Sequence, residues 1–177
     1  MNVAVCGPLG AGCTEVGQLL AKKLGFRCVS SSDIIKAIVS DFRESFEEFE
    51  LRVRSGEVEL DKMINSEIDD ILKQGETIVE GRSGFMLLDN PLAFKVLLVA
   101  PLAERTGHIA ERRKITMEEA KEEVEESDKE RKSMVERLFK VEWLDPCNYD
   151  IVVNTKSKRY EEVAEVLVKA IKTLRKT

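Results

Sequence analysis

The stretch Gly7-Pro8-Leu9-Gly10-Ala11-Gly12-Cys13-Thr14 is the part of the sequence that decides the fold. It directly follows Val3-Ala4-Val5-Cys6, a short apolar run of the kind that forms a buried strand. It directly precedes residues 14–24, where apolar side chains recur at helical spacing. A glycine-rich turn between a buried strand and a helix is a common phosphate-binding arrangement, so the sequence predicts a phosphate loop at its start.

The loop matches the phosphate-loop pattern G-x-x-x-x-G-K-[ST] at Gly7, Gly12 and Thr14. Gly10 adds a third flexible residue, and Ala11 lies between it and Gly12. Glycines let backbone N–H groups approach phosphate oxygens, and the helix N-terminus adds partial positive charge. We therefore predict that these residues bind phosphate and that the Thr14 hydroxyl contacts Mg²⁺. The alternative is a glycine-rich turn without a ligand, which the flanking strand and helix disfavour.

Cys13 occupies the position where the pattern has lysine. That lysine normally brings a mobile positive charge to the β- and γ-phosphates, so its loss removes a contact made in the transition state. As part of the loop, Cys13 is still predicted to lie in the phosphate-binding site. A thiol at a helix N-terminus can be reactive, but no base lies near Cys13 in the sequence, which favours a small residue that fits a crowded turn.

The composition excludes several classes of protein. Apolar residues make up 43% of the 177 residues, which suits a single domain, predicted over residues 1–177. The net charge of −5 disfavours a nucleic-acid-binding protein. No apolar run approaches the ~18 residues of a transmembrane helix, and the N-terminal segment does not resemble a signal peptide. The four cysteines form no C-x-x-C pair, so we expect no zinc ribbon or disulfide framework, and we predict a cytoplasmic protein.

Short apolar runs alternate with longer stretches of helical spacing, which predicts an α/β fold with a parallel sheet covered on both faces. The predicted strands are Asn2–Cys6, Phe26–Val29, Glu76–Val79, Phe94–Val99 and Tyr149–Val153. The predicted helices are Thr14–Leu24, Asp33–Phe42, Glu59–Lys73, Ala103–Arg112, Thr116–Phe139 and Tyr160–Leu174. The helical stretches 33–73 and 116–140 are longer than a plain crossover needs, and we interpret both as insertions at one edge of the sheet.

A second motif, Glu80-Gly81-Arg82, follows the buried strand Thr77-Ile78-Val79. Ligands of open α/β sheets lie beyond the carboxyl ends of the strands. An acid there can hold a metal-bound water, and an arginine can grip a phosphate with two hydrogen bonds. The alternative is a surface salt bridge in a loop. Because a phosphate loop is also present, the motif favours a second phosphate site.

Together these motifs resemble the cytidylate kinases, most closely those of archaeal type. The resemblance covers essentially the whole chain through five landmarks: Gly7–Thr14, Val29–Ile34, Val79–Arg82, Leu97–Leu102 and Tyr149–Thr155. It implies a P-loop nucleoside monophosphate kinase-like fold, with a five-stranded parallel sheet of order 2-3-1-4-5 flanked by helices. It also implies a helical insertion that binds the nucleoside monophosphate, at about 33–73, and a mobile lid, at about 113–140.

The resemblance implies that the protein transfers a phosphoryl group from Mg²⁺-bound ATP to CMP or dCMP. ATP is then the co-substrate, Mg²⁺ the cofactor and small nucleotides the partners, with neither nucleic acid nor membrane involved. A monomer is expected.

The resemblance also assigns site residues. The loop Gly7–Thr14 falls on the ATP-phosphate site, and the archaeal-type branch likewise lacks the loop lysine. Thr14 and Glu80 are the implied metal contacts. The implied residues for the acceptor monophosphate are Ser31, Asp33, Lys36 and Arg82. Lys36 stands where the family usually has arginine, and Ser83 where many bacterial members have an aspartate involved with cytosine.

The lid helices of the family carry several arginines that neutralise the transferring phosphoryl group. Here the candidate catalytic arginines are Arg82, Arg112 and Arg131. Positions where further arginines are expected hold other residues, namely Ser127, Ser133 and Met134. Such a contact can change the rate by ~10³–10⁵, so this departure matters more than Cys13.

Three functions are therefore open. The first is an active nucleotide kinase with a remodelled lid, and the second is a catalytically silent nucleotide-binding protein. The third is a kinase for another small-molecule acceptor, which Lys36 and Ser83 suggest. The retained loop glycines, Thr14, Glu80 and Arg82 favour the first, because a structural relic has no need for two phosphate sites.

Two residue types occur once each. His108 lies beside charged residues in a predicted helix and is expected to face solvent. Trp143 precedes Leu144-Asp145-Pro146 and is expected to pack the end of the predicted lid onto the body of the protein.

Overall fold

The computed structural model describes residues 1–42, 45–56 and 59–174. Residues 43–44 and 57–58 of the predicted insertion at 33–73 lie outside this range, as do residues 175–177.

The described strands form one parallel sheet with the order β2-β3-β1-β4-β5. The strands are β1 (Asn2–Cys6), β2 (Arg27–Val29), β3 (Thr77–Glu80), β4 (Ala93–Val99) and β5 (Ile151–Asn154). The helices are α1 (Cys13–Leu24), α2 (Ser31–Phe42), α3 (Phe46–Arg54), α4 (Leu60–Lys73), α5 (Leu102–Arg113), α6 (Met117–Phe139) and α7 (Tyr160–Thr173). Two 3₁₀ helices cover Gly81–Leu87 and Pro146–Asn148. This topology confirms the predicted α/β fold and the implied strand order.

Alternation along the strands divides the core between the two faces of the sheet, because successive side chains of a strand point to opposite faces. Val3 and Val5 of β1 belong to a core cluster with buried residues of α1 and α7. Ala4 and Cys6 belong to a second cluster with buried residues of α2, α3, α4 and α6. Both faces are therefore covered, as the apolar strands predict.

The strand register brings the carboxyl ends of β1 and β3 together. Val5 pairs with Glu80, and Cys6 pairs with Leu97 of β4. The loop that follows β1 therefore begins beside the motif that follows β3, although more than 70 residues of sequence separate them. Both predicted phosphate-binding motifs lie at this edge of the sheet.

Helix α6 begins with a capping box, in which the Thr116 hydroxyl accepts from the Glu119 N–H and the Glu119 carboxylate accepts from the Thr116 N–H. It then runs for 23 residues without a break. Its sequence lacks an apolar stripe in the middle, and the structure shows what lies on the buried face there. The buried face includes Arg131 between Val124 and Val135, so a guanidinium occupies the place of an apolar side chain.

Several boundaries differ from the predicted ones for local reasons. Strand β3 starts after Glu76, because that residue has a positive φ of 49° and ends the preceding turn. Strand β5 starts at Ile151 and not at Tyr149, because the Tyr149 N–H closes the 3₁₀ turn at Pro146–Asn148. Within the predicted insertion at 33–73, α3 is a separate helix that begins with its own capping box at Ser45.

Trp143 is buried and packs against Phe85, with ring centroids 5.9 Å apart. Its carbonyl accepts a hydrogen bond from the Tyr149 hydroxyl. The Phe85 contact ties the chain that follows α6 to the 3₁₀ helix after β3, which agrees with the predicted packing role. Among the described residues, no helix combines the length and apolar character needed to cross a membrane.

Candidate functional site

The phosphate loop borders a cavity of about 300 Å³ between α1, α5 and α7. Gly10 and Gly12 have φ angles of 83° and 94°, in the left-handed region that glycine adopts without strain. Gly12 is also the N-cap of α1, and its carbonyl accepts the first intrahelical bond, from Val16, at 2.9 Å. The N–H groups of the first turn of α1 have no hydrogen-bond partner within the helix and can donate hydrogen bonds to a bound anion.

Three successive carbonyls of the loop are each held by a side chain from elsewhere. The Leu9 carbonyl accepts from Arg105 Nη1 at 3.1 Å, and the Ala11 carbonyl accepts from the Thr155 hydroxyl at 3.0 Å. The Gly10 carbonyl lies 3.1 Å from His108 Nδ1. These contacts fix the loop backbone before any ligand binds.

Helix α7 restricts the space beside the phosphate loop at Gly12. A Cβ atom at Gly12 would lie 2.4 Å from Tyr160 Cε1, so only glycine fits there. The Tyr160 hydroxyl lies 3.2 Å from His108 Nδ1, and both residues line the first cavity. His108 is exposed, as predicted, but the structure also places it against the loop.

Cys13 is buried, and its thiol lies against Gly7. A Cβ atom at Gly7 would be 2.5 Å from the Leu98 carbonyl oxygen and 2.9 Å from Cys13 Sγ. Burial, followed by the nearby Glu80 carboxylate, raises the thiol pKa to about 12. Cys13 is therefore protonated at neutral pH, which agrees with a small packing residue and not with a reactive thiolate.

Thr14 joins the loop to the end of β3. Its hydroxyl donates a hydrogen bond to Glu80 Oε2 at 3.0 Å, which leaves the Thr14 oxygen able to bind a cation. Glu80 is only 4% exposed, and burial raises its pKa, with smaller contributions from Glu15 and Asp33. Oxygen ligands of this kind suit Mg²⁺, which usually combines a few protein oxygens with substrate phosphates. The two side chains therefore fit the predicted metal contact.

A second cavity, of about 640 Å³, lies between α2, α3, α4 and α6. Ser31, Lys36 and Arg82 all line it, so the structure brings together three of the four residues predicted for the acceptor phosphate. Ser31 Oγ accepts hydrogen bonds from the N–H and the hydroxyl of Ser83, both at 3.0 Å.

Asp33, the fourth predicted residue, is not among the described residues that line either cavity. Its carboxylate accepts from the Ser30 hydroxyl at 2.7 Å and from the Ser30 N–H at 3.0 Å, and these hydrogen bonds lower its pKa. The geometry is that of a residue that orders the start of α2.

The three candidate arginines have different surroundings. Arg112 lines the first cavity, with Nη1 3.5 Å from Glu15 Oε1. Arg82 is half-exposed and forms an ion pair with Glu130 of α6. Arg131 is 8% exposed, donates to the Ser127 carbonyl at 3.2 Å, and has a buried Nε without a hydrogen-bond partner among the described residues. Burial, and then the charge of Arg82, lowers the pKa of Arg131.

The two cavities meet at one place. The residues that line both are Leu9, Thr14, Glu80, Gly81 and Arg131. Three of these side chains, Thr14, Glu80 and Arg131, carry polar groups, and sequence reasoning had selected each of them. Arg105, Tyr160 and Thr155, which hold the loop, were not selected.

A phosphate loop after β1, this sheet order and two cavities that meet beside the loop define a P-loop kinase fold. Solved structures agree on the fold. An uncharacterized protein from Eubacterium ventriosum is 18% identical, with a TM-score of 0.74 and 98% of each chain covered. Shikimate kinase from Acinetobacter baumannii in complex with shikimate is 16% identical, with a TM-score of 0.63, and 99% of this chain and 95% of that chain are covered.

Sequence comparison identifies the family. The model of the cytidylate kinase-like family matches residues 2–157, and the chain therefore belongs to this family. The cytidylate kinase of Methanobrevibacter smithii is 29% identical over 175 residues, which are 98% of this chain and all of that protein. The cytidylate kinase of Thermococcus kodakarensis is 29% identical over 154 residues, which are 86% of this chain and 78% of that protein.

Proposed function

We propose that the protein transfers the γ-phosphoryl group of Mg²⁺-bound ATP to CMP or dCMP. The observation that carries this proposal is the junction of the two cavities at Thr14, Glu80 and Arg131. A donor phosphate on the loop and an acceptor phosphate near Arg82 would face each other across this junction. Positioning and charge neutralisation are the main contributions that a kinase makes to phosphoryl transfer.

Each side chain has a role in this proposal. The first turn of α1 and the loop backbone bind the ATP phosphates, while Thr14 and Glu80 hold Mg²⁺, Glu80 through a water molecule. Mg²⁺, when bound, neutralises charge on the β- and γ-phosphates. Arg131, whose Nε is buried without a hydrogen-bond partner among the described residues, donates to the transferring group. Lys36 and Arg82 bind the acceptor phosphate, and Arg112 approaches the donor side.

The choice of CMP or dCMP rests on the named relatives, which are cytidylate kinases with 26–29% identity to this chain. The second cavity has room for a nucleoside between apolar walls from Ile35, Phe46 and Ile64. It also contains Asp61 and Ser83, which offer polar groups to a base edge.

A silent nucleotide-binding protein is the second candidate, and one observation favours it. Cys13 brings no positive charge to the loop, and the thiol is buried and neutral. In this case the first cavity would bind ATP or ADP without turnover.

A coupled ADP-release assay with Mg²⁺-ATP separates these functions. The acceptors are CMP, dCMP, UMP, AMP and shikimate, and the matched control protein is the Arg131→Gln variant. We expect ADP release with CMP or dCMP that falls by about 10³-fold in the variant, because it loses the buried cation at the junction. ADP binding without turnover on any acceptor would identify the silent alternative, and turnover on another acceptor would change the substrate.

A further inference from the structure

Arg105 of α5 is buried, with 7% of its surface exposed, and its guanidinium has three partners. Nε donates to the Ala100 carbonyl at 3.1 Å, and Nη1 donates to the Leu9 carbonyl at 3.1 Å. Nη2 forms an ion pair with Asp128 Oδ2 at 2.9 Å. One side chain therefore connects the end of β4, the phosphate loop and helix α6.

The Asp128 carboxylate relies on Arg105 to compensate its charge. Its side chain is only 21% exposed, and its other oxygen, Oδ1, is buried without a hydrogen-bond partner among the described residues. A buried charge without its partner is costly, so Arg105 and Asp128 hold each other in place. Because Asp128 belongs to α6, this pair links α6 to the loop, beside the apolar contact of Leu9 with the cluster that contains Ala120 and Val124.

The backbone of Arg105 also restricts the space beside the phosphate loop. A Cβ atom at Gly10 would lie 2.6 Å from the Arg105 carbonyl oxygen, so α5 packs directly on the loop backbone. The side chain then returns to the same loop at Leu9. The loop cannot shift at residues 9–10 without displacing Arg105.

Asp128 lies three residues before Arg131, so the two side chains share one face of α6. The Arg105–Asp128 ion pair therefore sets how Arg131 sits at the junction of the two cavities. We propose that Arg105 is a positioning residue that couples the phosphate loop to helix α6 and so aligns bound donor phosphates with Arg131. This inference rests on the proposed kinase function.

The test compares three variants of the full chain. Asp128→Asn removes the charge of the partner but keeps its shape. Asp128→Glu keeps the charge and displaces it by one methylene group. Glu126→Gln is the matched control, because it removes an exposed carboxylate from the same helix, where Glu126 pairs only with Lys129 among the contacts described. Turnover and the KM of the acceptor are measured with Mg²⁺-ATP, and melting temperatures show that each variant is folded.

We expect Asp128→Asn to lower kcat by about 100-fold, the size of effect that a misplacement of about 1 Å produces, while the acceptor KM stays within about twofold. Asp128→Glu should restore part of kcat, and Glu126→Gln should match the unmodified protein. An unchanged kcat in Asp128→Asn, or an equal loss in Glu126→Gln, would overturn the proposal. So would a rise in acceptor KM that accounts for the whole effect.

A binding measurement separates this proposal from the proposed function. Arg105→Lys keeps a charge for Asp128 but cannot also reach both carbonyls, so we expect its affinity for ADP, measured by calorimetry without acceptor, to fall about tenfold. Glu123→Gln is the control here, because Glu123 also joins α6 to α5, through Arg113, without touching the loop. If the protein turns over no acceptor, the kinase proposal fails, whereas equal ADP affinities of Arg105→Lys and the unmodified protein refute the positioning role.

Discussion

The Thr14 hydroxyl donates to Glu80 Oε2 over 3.0 Å, across 66 residues of sequence. The bond connects the first residues of α1 to the last residue of β3, and parallel pairing of β1 with β3 makes it possible. Burial removes water from the Glu80 carboxylate and raises its pKa, whereas the hydrogen bond from Thr14 lowers it. Burial has the larger effect, so the pKa of Glu80 is raised. Burial therefore disfavours the charged form of Glu80 in the ligand-free protein.

Glu80→Gln should make the ligand-free protein more stable at neutral pH. The folded state binds the Glu80 proton more tightly than the unfolded chain does, so stability falls as pH rises from the ordinary glutamate pKa through the raised one. The variant avoids this cost, and its higher melting temperature at pH 7 should converge with that of the unmodified protein near pH 4. The exposed Glu111→Gln should show no such gain.

The same Glu80→Gln variant should lose the Mg²⁺ dependence of nucleotide binding. ADP affinity measured with Mg²⁺ and with a chelator should differ in the unmodified protein and become nearly equal in the variant. A variant that keeps the full Mg²⁺ effect would show that Glu80 does not hold the ion.

Glu130→Gln should tighten acceptor binding. Glu130 pairs with Arg82, so a monophosphate must displace this carboxylate before it reaches the guanidinium. Exposed ion pairs are worth roughly 0–1 kcal/mol, which limits the expected gain in acceptor affinity to about fivefold.

Arg82→Ala should weaken CMP binding by about 10–100-fold and leave ADP binding nearly unchanged. Calorimetry with CMP and ADP separately checks both variants, and equal losses for the two ligands would place Arg82 between the sites.

Alkylation should distinguish the cysteines. Cys6 and Cys13 are buried, and burial raises the pKa of Cys13 to about 12 and of the less buried Cys28 to about 11. Cys147 is exposed, although its hydrogen bond to Asp145 raises its pKa. Treatment with iodoacetamide at pH 8 and peptide mapping should therefore find the label on Cys147, and Cys147→Ser should remove it. Rapid labelling of Cys13 would contradict its role as a packing residue.

Cys13→Lys should destabilise the protein instead of repairing the loop. The thiol lies against Gly7, and overpacking a buried position costs about 1–3 kcal/mol. For a chain of this size that is roughly 2–12 °C in melting temperature. Cys13→Ser serves as the control of similar size. A lysine variant that melts normally and turns over CMP faster than the unmodified protein would show that the missing charge limits turnover.

The sequence alone could predict the features that depend on local pattern. The phosphate loop, the alternation of strands and helices and the Glu80-Gly81-Arg82 motif all follow from residues close together in the chain. The residues that hold the loop could not be found in this way. Arg105 lies 96 residues from Leu9, and Thr155 lies 144 residues from Ala11. No spacing marks Arg105, and the landmark Tyr149–Thr155 contains Thr155 without indicating that its side chain contacts the loop.

Asp33 shows the converse case. The resemblance assigned it to the acceptor site, but the local spacing Ser30-x-x-Asp33 is itself a capping signal, and the carboxylate bonds to Ser30 in the structure. The buried Arg131 is a third case, because a charged residue in a Glu/Lys-rich helix gives no indication of burial. Only the packing of α6 against the sheet reveals it.

The position of Trp143 makes it an intrinsic fluorescence probe. It is the sole tryptophan, so all indole fluorescence comes from one place, between the end of α6 and the 3₁₀ helix that begins next to Glu80. A shift of α6 on ligand binding would alter the surroundings of this ring against Phe85. Emission spectra recorded during stopped-flow mixing with a nucleotide could therefore detect and time such a shift, without any attached dye.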